Sequence, residues 1–288
     1  MTDAVILEKD GRVGRIILNR PDVLNAIDGN MPQQLADQVA AANTDDDIHV
    51  IVLSGAGRAF CAGYDLTYYA SSSEGHGHEI TQEMPWDPMK DFAMMHKNTQ
   101  LFMSLWHSHK PVICKVHGYA AAGGSDIALC CDMVVMADDA EIGYMPARVW
   151  GCPTTAMWTY RLGPEQAKRM LLTGDRIDGK EAERIGLVLK SVPAENLDLE
   201  VDRLAHRMAT VPKNQLMMQK MVINQAVEAM GLQNTQKLAT LFDGITRHSP
   251  EGMNFKARSE EKGWQHTVRE RDSGTFDWTQ NRPINPKA

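Results

Sequence analysis

Residues 109–132, HKPVICKVHGYAAAGGSDIALCCD, constrain this chain more than any other stretch. The short apolar run at 112–116 predicts a buried strand, the small residues at 120–124 a turn, and 125–131 a helix. Main-chain N–H groups at a helix start lack intrahelical partners and carry the positive end of the helix dipole, so they can hold a developing negative charge. Glycines there let a ligand approach the backbone. The plainer reading of Ala-Gly-Gly is a tight strand-to-helix joint, and the choice rests on the rest of the chain.

In chain order, residues 5–9 and 13–18 flank a DGR turn and predict a hairpin. NRPDVLNAID breaks the strand at Pro21 and leads to a helix near 31–42. Residues 48–54, IHVIVLS, are continuous and β-branched, the pattern of a strand covered on both faces, so the fold class is α/β. A second strand-to-turn unit, GAGRAFCAGYDL at 55–66, follows directly. It is not a dinucleotide loop, because the third glycine of that fingerprint would fall at Phe60. Residues 67–88 are polar and aperiodic and read as a long loop; His76 and His78, near Glu74 and Glu79, are read as solvated in preference to a metal site. A helix is expected at 91–108, a short buried strand at 133–136, and a functional loop at 141–155, with Glu141 exposed.

Residues 157–172 predict a helix, followed by a short helix at 179–185 and a strand at 187–192. Beyond Pro193 the chain turns helical, at 197–209 and 213–245. Leu216, Met217, Met221, Ile223, Val227, Met230, Leu238, Leu241 and Ile245 make an apolar face that should cover the body or another subunit. After Ile245 the sequence is charged with isolated aromatics, Trp264, Phe276 and Trp278, and reads as a surface-draped tail.

With 288 residues, 43% of them hydrophobic, the chain can bury a full core. Its net charge of −7 disfavours broad contact with nucleic acid or an anionic membrane. The sequence has neither a leader pattern nor a long apolar run, so a cytoplasmic protein is expected. The odd set Cys61, Cys114, Cys130, Cys131 and Cys152, without C-x-x-C spacing, reads as buried free thiols.

Three ordered stretches, NRPDVLNAI, SGAGRAFCAGYDL and KPVICKVHGYAAAGGSDIALCCD, followed by LTGDRIDGKEAERIGLV, resemble the crotonase (enoyl-CoA hydratase/isomerase) superfamily over about residues 5–245. The resemblance implies a spiral of β-β-α turns over residues 1–195 that carries an acyl-CoA site. It also implies a helical region, 196–288, that assembles a homotrimer or a hexamer. The substrate would be a coenzyme A thioester with no separate cofactor and no metal. Its carbonyl would sit between the main-chain N–H groups of Tyr64 and Gly123, where two preorganised donors stabilise an enolate or oxyanion by several kcal/mol, about 2.7–4 for one. Ala62, Asp65 and Leu66 match family positions near the adenine end of coenzyme A.

Family hydratases use two glutamates. Here the first position is Asp126, one methylene shorter. The second falls at Ala147, in a loop one residue longer than usual, so no carboxylate is in register. Arg148 is the nearest charged residue, read either as a substrate contact or as an ion pair, with Asp126 as a candidate partner. Trp150, Thr154 and Thr155 are candidates for the acyl pocket. Asp126 is the expected acid or base, against a reading as a helix first-turn acid that complements the dipole. The expected reaction is water addition to, or isomerisation of, a 2-enoyl-CoA. The alternatives are thioester or carbon–carbon cleavage, an acyl-CoA-binding protein without turnover, and a Ser125 hydrolase, which lacks the second glycine of a nucleophile elbow.

Overall fold

The structure is a computed structural model that describes residues 3–70 and 85–284. Its centre is a six-stranded sheet in the order β1 (Val5–Asp10), β2 (Val13–Leu18), β3 (Val50–Gly55), β4 (Val112–Val116), β6 (Met133–Ala137) and β9 (Lys190–Val192). β1 and β2 form the antiparallel hairpin, and every later neighbour is parallel. Val50, Ile51, Val52 and Leu53 are all buried, as a β-branched strand covered on both faces requires. α1 (Met31–Thr44) packs on α3 (Pro88–His107), while α7 (Leu197–Ala209) lies against β3, β4 and β6. The main core therefore continues past residue 195 into α7.

A second, three-stranded sheet sits beside the first. It is built from β5 (Tyr119–Ala121) and β7 (Glu141–Gly143), each a short strand that follows a turn out of the main layer, and β8 (Arg176–Asp178). β4, β5 and α4 (Gly123–Leu129) make one β-β-α turn of the expected spiral. β6 and β7 enter the next, which leads into α5 (Met157–Thr173), and α6 (Gly179–Arg184) follows β8.

Four regions depart from the sequence expectations. The loop expected at 141–155 contains β7 and a 3-10 turn at Met145–Arg148. The helix expected at 213–245 is two, α8 (Lys213–Ala229) and α9 (Leu232–His248), parted at Gly231, whose φ of 90° places it in the left-handed region. The strand expected at 187–192 shortens to β9. Most consequential is the chain beyond Ile245, which is no draped tail. It completes α9 and forms α10 (Pro250–Lys262), α11 (Trp264–Ser273) and a two-stranded hairpin, β10 (Phe276–Asp277) with β11 (Arg282–Pro283). Phe276 and Trp278 bury against Phe255, Trp150 and Val149, so their aromatic area anchors this segment on the 145–150 loop.

α2 (Leu66–Ala70) occupies the start of the region expected as a loop; His76, His78, Glu74 and Glu79 lie outside the described residues. Cys61, Cys114, Cys130 and Cys131 are buried free thiols, and Cys152 is free and half-buried. Among the described residues, no helix is long and apolar enough to cross a membrane.

Candidate active site

The site begins where the loop after β3 runs alongside β5. Cys61 N–H donates to Tyr119 O at 2.9 Å and Ala121 N–H to Cys61 O at 3.0 Å, so this loop extends the small sheet. Gly124 makes that contact possible, since a Cβ there would stand 2.3 Å from Cys61 O. Gly63, at φ 92°, is held as tightly: its Cβ would lie 2.8 Å from Ala121 O and 3.4 Å from Gly123 N. The two glycine turns read separately from the sequence are thus one contact.

Ile27 N–H donates to Gly63 O at 2.8 Å, and Asp65 N–H to Ile27 O at 3.0 Å. Tyr64 lies between these bonded neighbours, and among the described residues its own N–H donates to no protein acceptor. Gly123 opens α4, and its N–H is equally free, as the first turn of a helix dictates. Just before it, Ala122 sits at φ 51°, ψ −122°, a strained conformation for a residue with a side chain. Four hydrogen bonds hold Ala122 there. Its N–H donates to Gly143 O, and its carbonyl accepts from Ser125 N–H, Asp126 N–H and, at 2.6 Å, the Ser125 hydroxyl. Ser125 is therefore committed to the turn, and nothing favours it as a nucleophile.

Tyr64 and Gly123 border a cavity of about 520 Å³ that is also lined by Asp126, Tyr144, Trp150 and Thr154. Ala62, Asp65 and Leu66 line the same cavity. Asp65 is fixed by Arg20, 3.1 Å away, whose guanidinium also donates to Ala26 O. Asn25 ties this region down. Fully buried and in the left-handed region at φ 54°, it donates to Ala56 O and Ala59 O, each at 2.9 Å, and accepts from Arg20 N–H.

Asp126 is buried in the first turn of α4 and accepts a 2.6 Å hydrogen bond from the Thr155 hydroxyl at Oδ1. Burial pushes its carboxyl up to about 8; the Thr155 bond opposes that rise and the charge of Asp243 adds to it. At neutral pH it is mostly a neutral acid, able to donate or take up a proton inside the cavity.

Arg148 does not reach this group. The 3-10 turn at Met145–Arg148 ends with its side chain exposed, donating to Thr173 O at 2.7 Å beside Gly174, and it lies outside the cavity lining. The ion pair considered with Asp126 is absent because burial holds Asp126 inward while Arg148 caps the end of α5. Ala147 brings no carboxylate, and Glu141 is half-buried and paired with Arg176 at 2.8 Å. Trp150 lines the cavity in a left-handed conformation, φ 81°, with its ring on Phe255.

The sequence reading missed the contribution of α9. Gln236, Thr240, Asp243 and Arg247 form a buried polar stripe on a helix expected to be apolar. Gln236 Nε2 donates to Thr155 O at 3.0 Å. Arg247 bridges Asp243 and Asp91, the latter at 2.7 Å, and Gly244 makes room, since a Cβ there would fall 1.9 Å from Asp91 Oδ2. The signal was available: an Asp and an Arg four residues apart, in phase with Gln236 and Thr240, form a polar stripe within a helix otherwise rich in apolar residues. Trp264 and Val268 of α11 line the cavity too. Among the described residues, no group of three or more His, Cys, Asp or Glu side chains could hold a metal ion.

The sequence matches the family described as enoyl-CoA hydratase/isomerase over residues 8–265. It is 33% identical over 260 residues to 2,3-dehydroadipyl-CoA hydratase of Escherichia coli, covering 87% of this chain and 94% of that one. A probable mitochondrial enoyl-CoA hydratase of Dictyostelium discoideum is 29% identical, covering 90% of each chain. Among solved structures, an enoyl-CoA hydratase from Mycobacterium smegmatis superposes with a TM-score of 0.88 at 44% identity, over 95% of this chain and 94% of that one. An enoyl-CoA hydratase/isomerase from Xanthobacter autotrophicus superposes at 0.85 with 27% identity, over 95% and 99%.

Proposed function

The chain belongs to the enoyl-CoA hydratase/isomerase family, and we propose that it adds water to, or isomerises, a 2-enoyl-CoA through an enolate held by Tyr64 and Gly123. The observation that carries this reading is one cavity shared by two free main-chain N–H groups and a buried carboxyl raised to about 8. A thioester carbonyl between the two donors becomes more electron-withdrawing, and the enolate formed in the transition state is bound more tightly than the ground state. Asp126 then exchanges a proton with the α-carbon. Ala62, Asp65 and Leu66 serve the coenzyme A moiety and Trp150 the acyl group, while Arg148 is turned outward onto Thr173 O. Coenzyme A enters as part of the substrate, and the chemistry needs no other cofactor. Isomerisation is the second reading, favoured by the absence of a carboxylate at Ala147, because it can run with one acid–base group.

Titration calorimetry with short, medium and aromatic acyl-CoAs, followed by turnover of crotonyl-CoA, tests the proposal. Binding with turnover that drops about a hundredfold or more in Asp126→Asn, with KM little changed, is the expected result. No binding to any thioester would remove the function and leave the fold intact; binding without turnover would leave an acyl-CoA-binding protein.

We infer further that 196–288 acts as the assembly region beyond the share α7 gives to the core. On α8 and α9, Met221, Val222, Ile223, Leu238 and Phe242 are exposed in the single chain, a cluster of large apolar side chains of the kind that marks an association surface. A homotrimer or hexamer would cover it. Sedimentation velocity at micromolar concentration should give such a particle; a stable monomer would count against it. The proposed location is the cytoplasm, with neither nucleic acid nor membrane as partner.

A further inference from the structure

We propose that Asp243, presented from α9, is the second proton-transferring carboxyl group of this site, in place of the one missing at Ala147. The inference rests on the acyl-CoA reading above. Asp243 and Asp126 line the same cavity, from opposite parts of the chain, and Asp243 is only 3% exposed.

Their surroundings differ in the way an acid–base pair requires. The Asp126 carboxyl accepts a bond from neutral Thr155. Asp243 is held by charge-assisted bonds: the Arg247 guanidinium meets one oxygen, and Cys152 N–H donates to the other at 2.9 Å. The groups facing Asp243 are Arg247 on its own helix, Asp91 of α3 across that guanidinium, Asp126 of α4, the Tyr64 and Tyr144 phenols and the Cys152 thiol. Two buried carboxyls, Asp91 and Asp243, share the buried Arg247 guanidinium, whereas among the described residues no cation pairs with Asp126. A proton in this cluster therefore favours Asp126 over Asp243. Burial raises both carboxyls, but Arg247 and the Cys152 N–H counter that rise at Asp243.

In hydration the steps balance as follows. An O–H bond of water breaks and its proton goes to Asp243, while the oxygen bonds to the β-carbon. The π electrons pass to the thioester as an enolate held at Tyr64 and Gly123. The enolate collapses as Asp126 gives its proton to the α-carbon. Asp126 is left ionised and Asp243 protonated, and proton exchange through water resets the pair after product leaves.

The test uses crotonyl-CoA and the pH dependence of kcat. The wild-type enzyme should show a bell, falling on the acid side as Asp243 is protonated and on the basic side as Asp126 ionises near pH 8. Asp243→Asn leaves Arg247 paired with Asp91, so the variant removes a buried charge without stranding a cation. Its kcat should fall about a hundredfold or more with KM within a few-fold. The acid limb should vanish, and the basic limb should move to lower pH because a negative neighbour is gone. A variant with the wild-type profile merely scaled down, or a wild-type profile with no acid limb, would overturn the proposal. If Asp243→Asn fails to fold, the two limbs of the wild-type profile decide. No wild-type turnover with any acyl-CoA would instead reject the function itself.

Discussion

Thr155 Oγ1 donates a 2.6 Å hydrogen bond to Asp126 Oδ1 and joins the loop before α5 to the first turn of α4. The same Thr155 is held from behind by Gln236 of α9. This bond favours the ionised carboxylate, so removing it favours the proton. In Thr155→Val the basic limb of the rate profile should move above its wild-type position near pH 8, opposite to the shift expected for Asp243→Asn. An unmoved limb would mean that the hydroxyl only positions the side chain.

Asp126 also couples stability to pH. Its folded carboxyl lies at about 8, far above the value near 4 of an unfolded aspartate. Between those values the unfolded chain releases a proton that the native state keeps, so stability falls as pH rises from about 4 to about 8. Asp126→Asn lacks this dependence. Thermal unfolding should therefore show the variant gaining on the wild type between pH 5 and pH 8, by roughly 5 °C or more. Parallel curves would show that the carboxyl is not raised.

Gly124→Ala should separate the two turns that carry the donors. The new Cβ meets the Cys61 carbonyl, a backbone atom with little freedom to yield. A cost of about 1–3 kcal/mol is expected. Because a displacement of about 1 Å at a catalytic site can cost on the order of a hundredfold, kcat should fall even where the protein stays folded. Equal Tm and kcat in variant and wild type would contradict the close approach.

Arg247→Met would leave Asp91 and Asp243 buried without their cation. Breaking such a pair typically costs about 3–5 kcal/mol, so Tm should drop by roughly 10 °C. The loss should be greater at pH 8 than at pH 5, because Asp243, already raised by burial, loses the guanidinium that opposes that rise and can take up a proton at the lower pH. A loss independent of pH would point to packing alone.

The sequence by itself determined the elements whose cause is local. Continuous β-branched residues made β3, a glycine turn ahead of small and apolar residues made α4, and the ordered motifs carry the spiral and point to Tyr64 and Gly123 as main-chain donors. Backbone donors are legible in this way because their chemistry depends on turn geometry, which glycine positions record. Tertiary structure decided the rest. That the turns of Gly63 and Gly124 fit against each other, that Asp126 faces Asp243 and not Arg148, and that α11 lines the cavity are contacts between distant segments. Arg148 was a candidate partner for Asp126 because it is the nearest charged residue to the position where the second acid is missing; burial turned Asp126 inward while the 3-10 turn sent Arg148 to the end of α5. The charge on a carboxyl depends on what surrounds it within a few ångströms, and for Asp126 that environment is supplied by Thr155 and by a helix more than a hundred residues further along the chain.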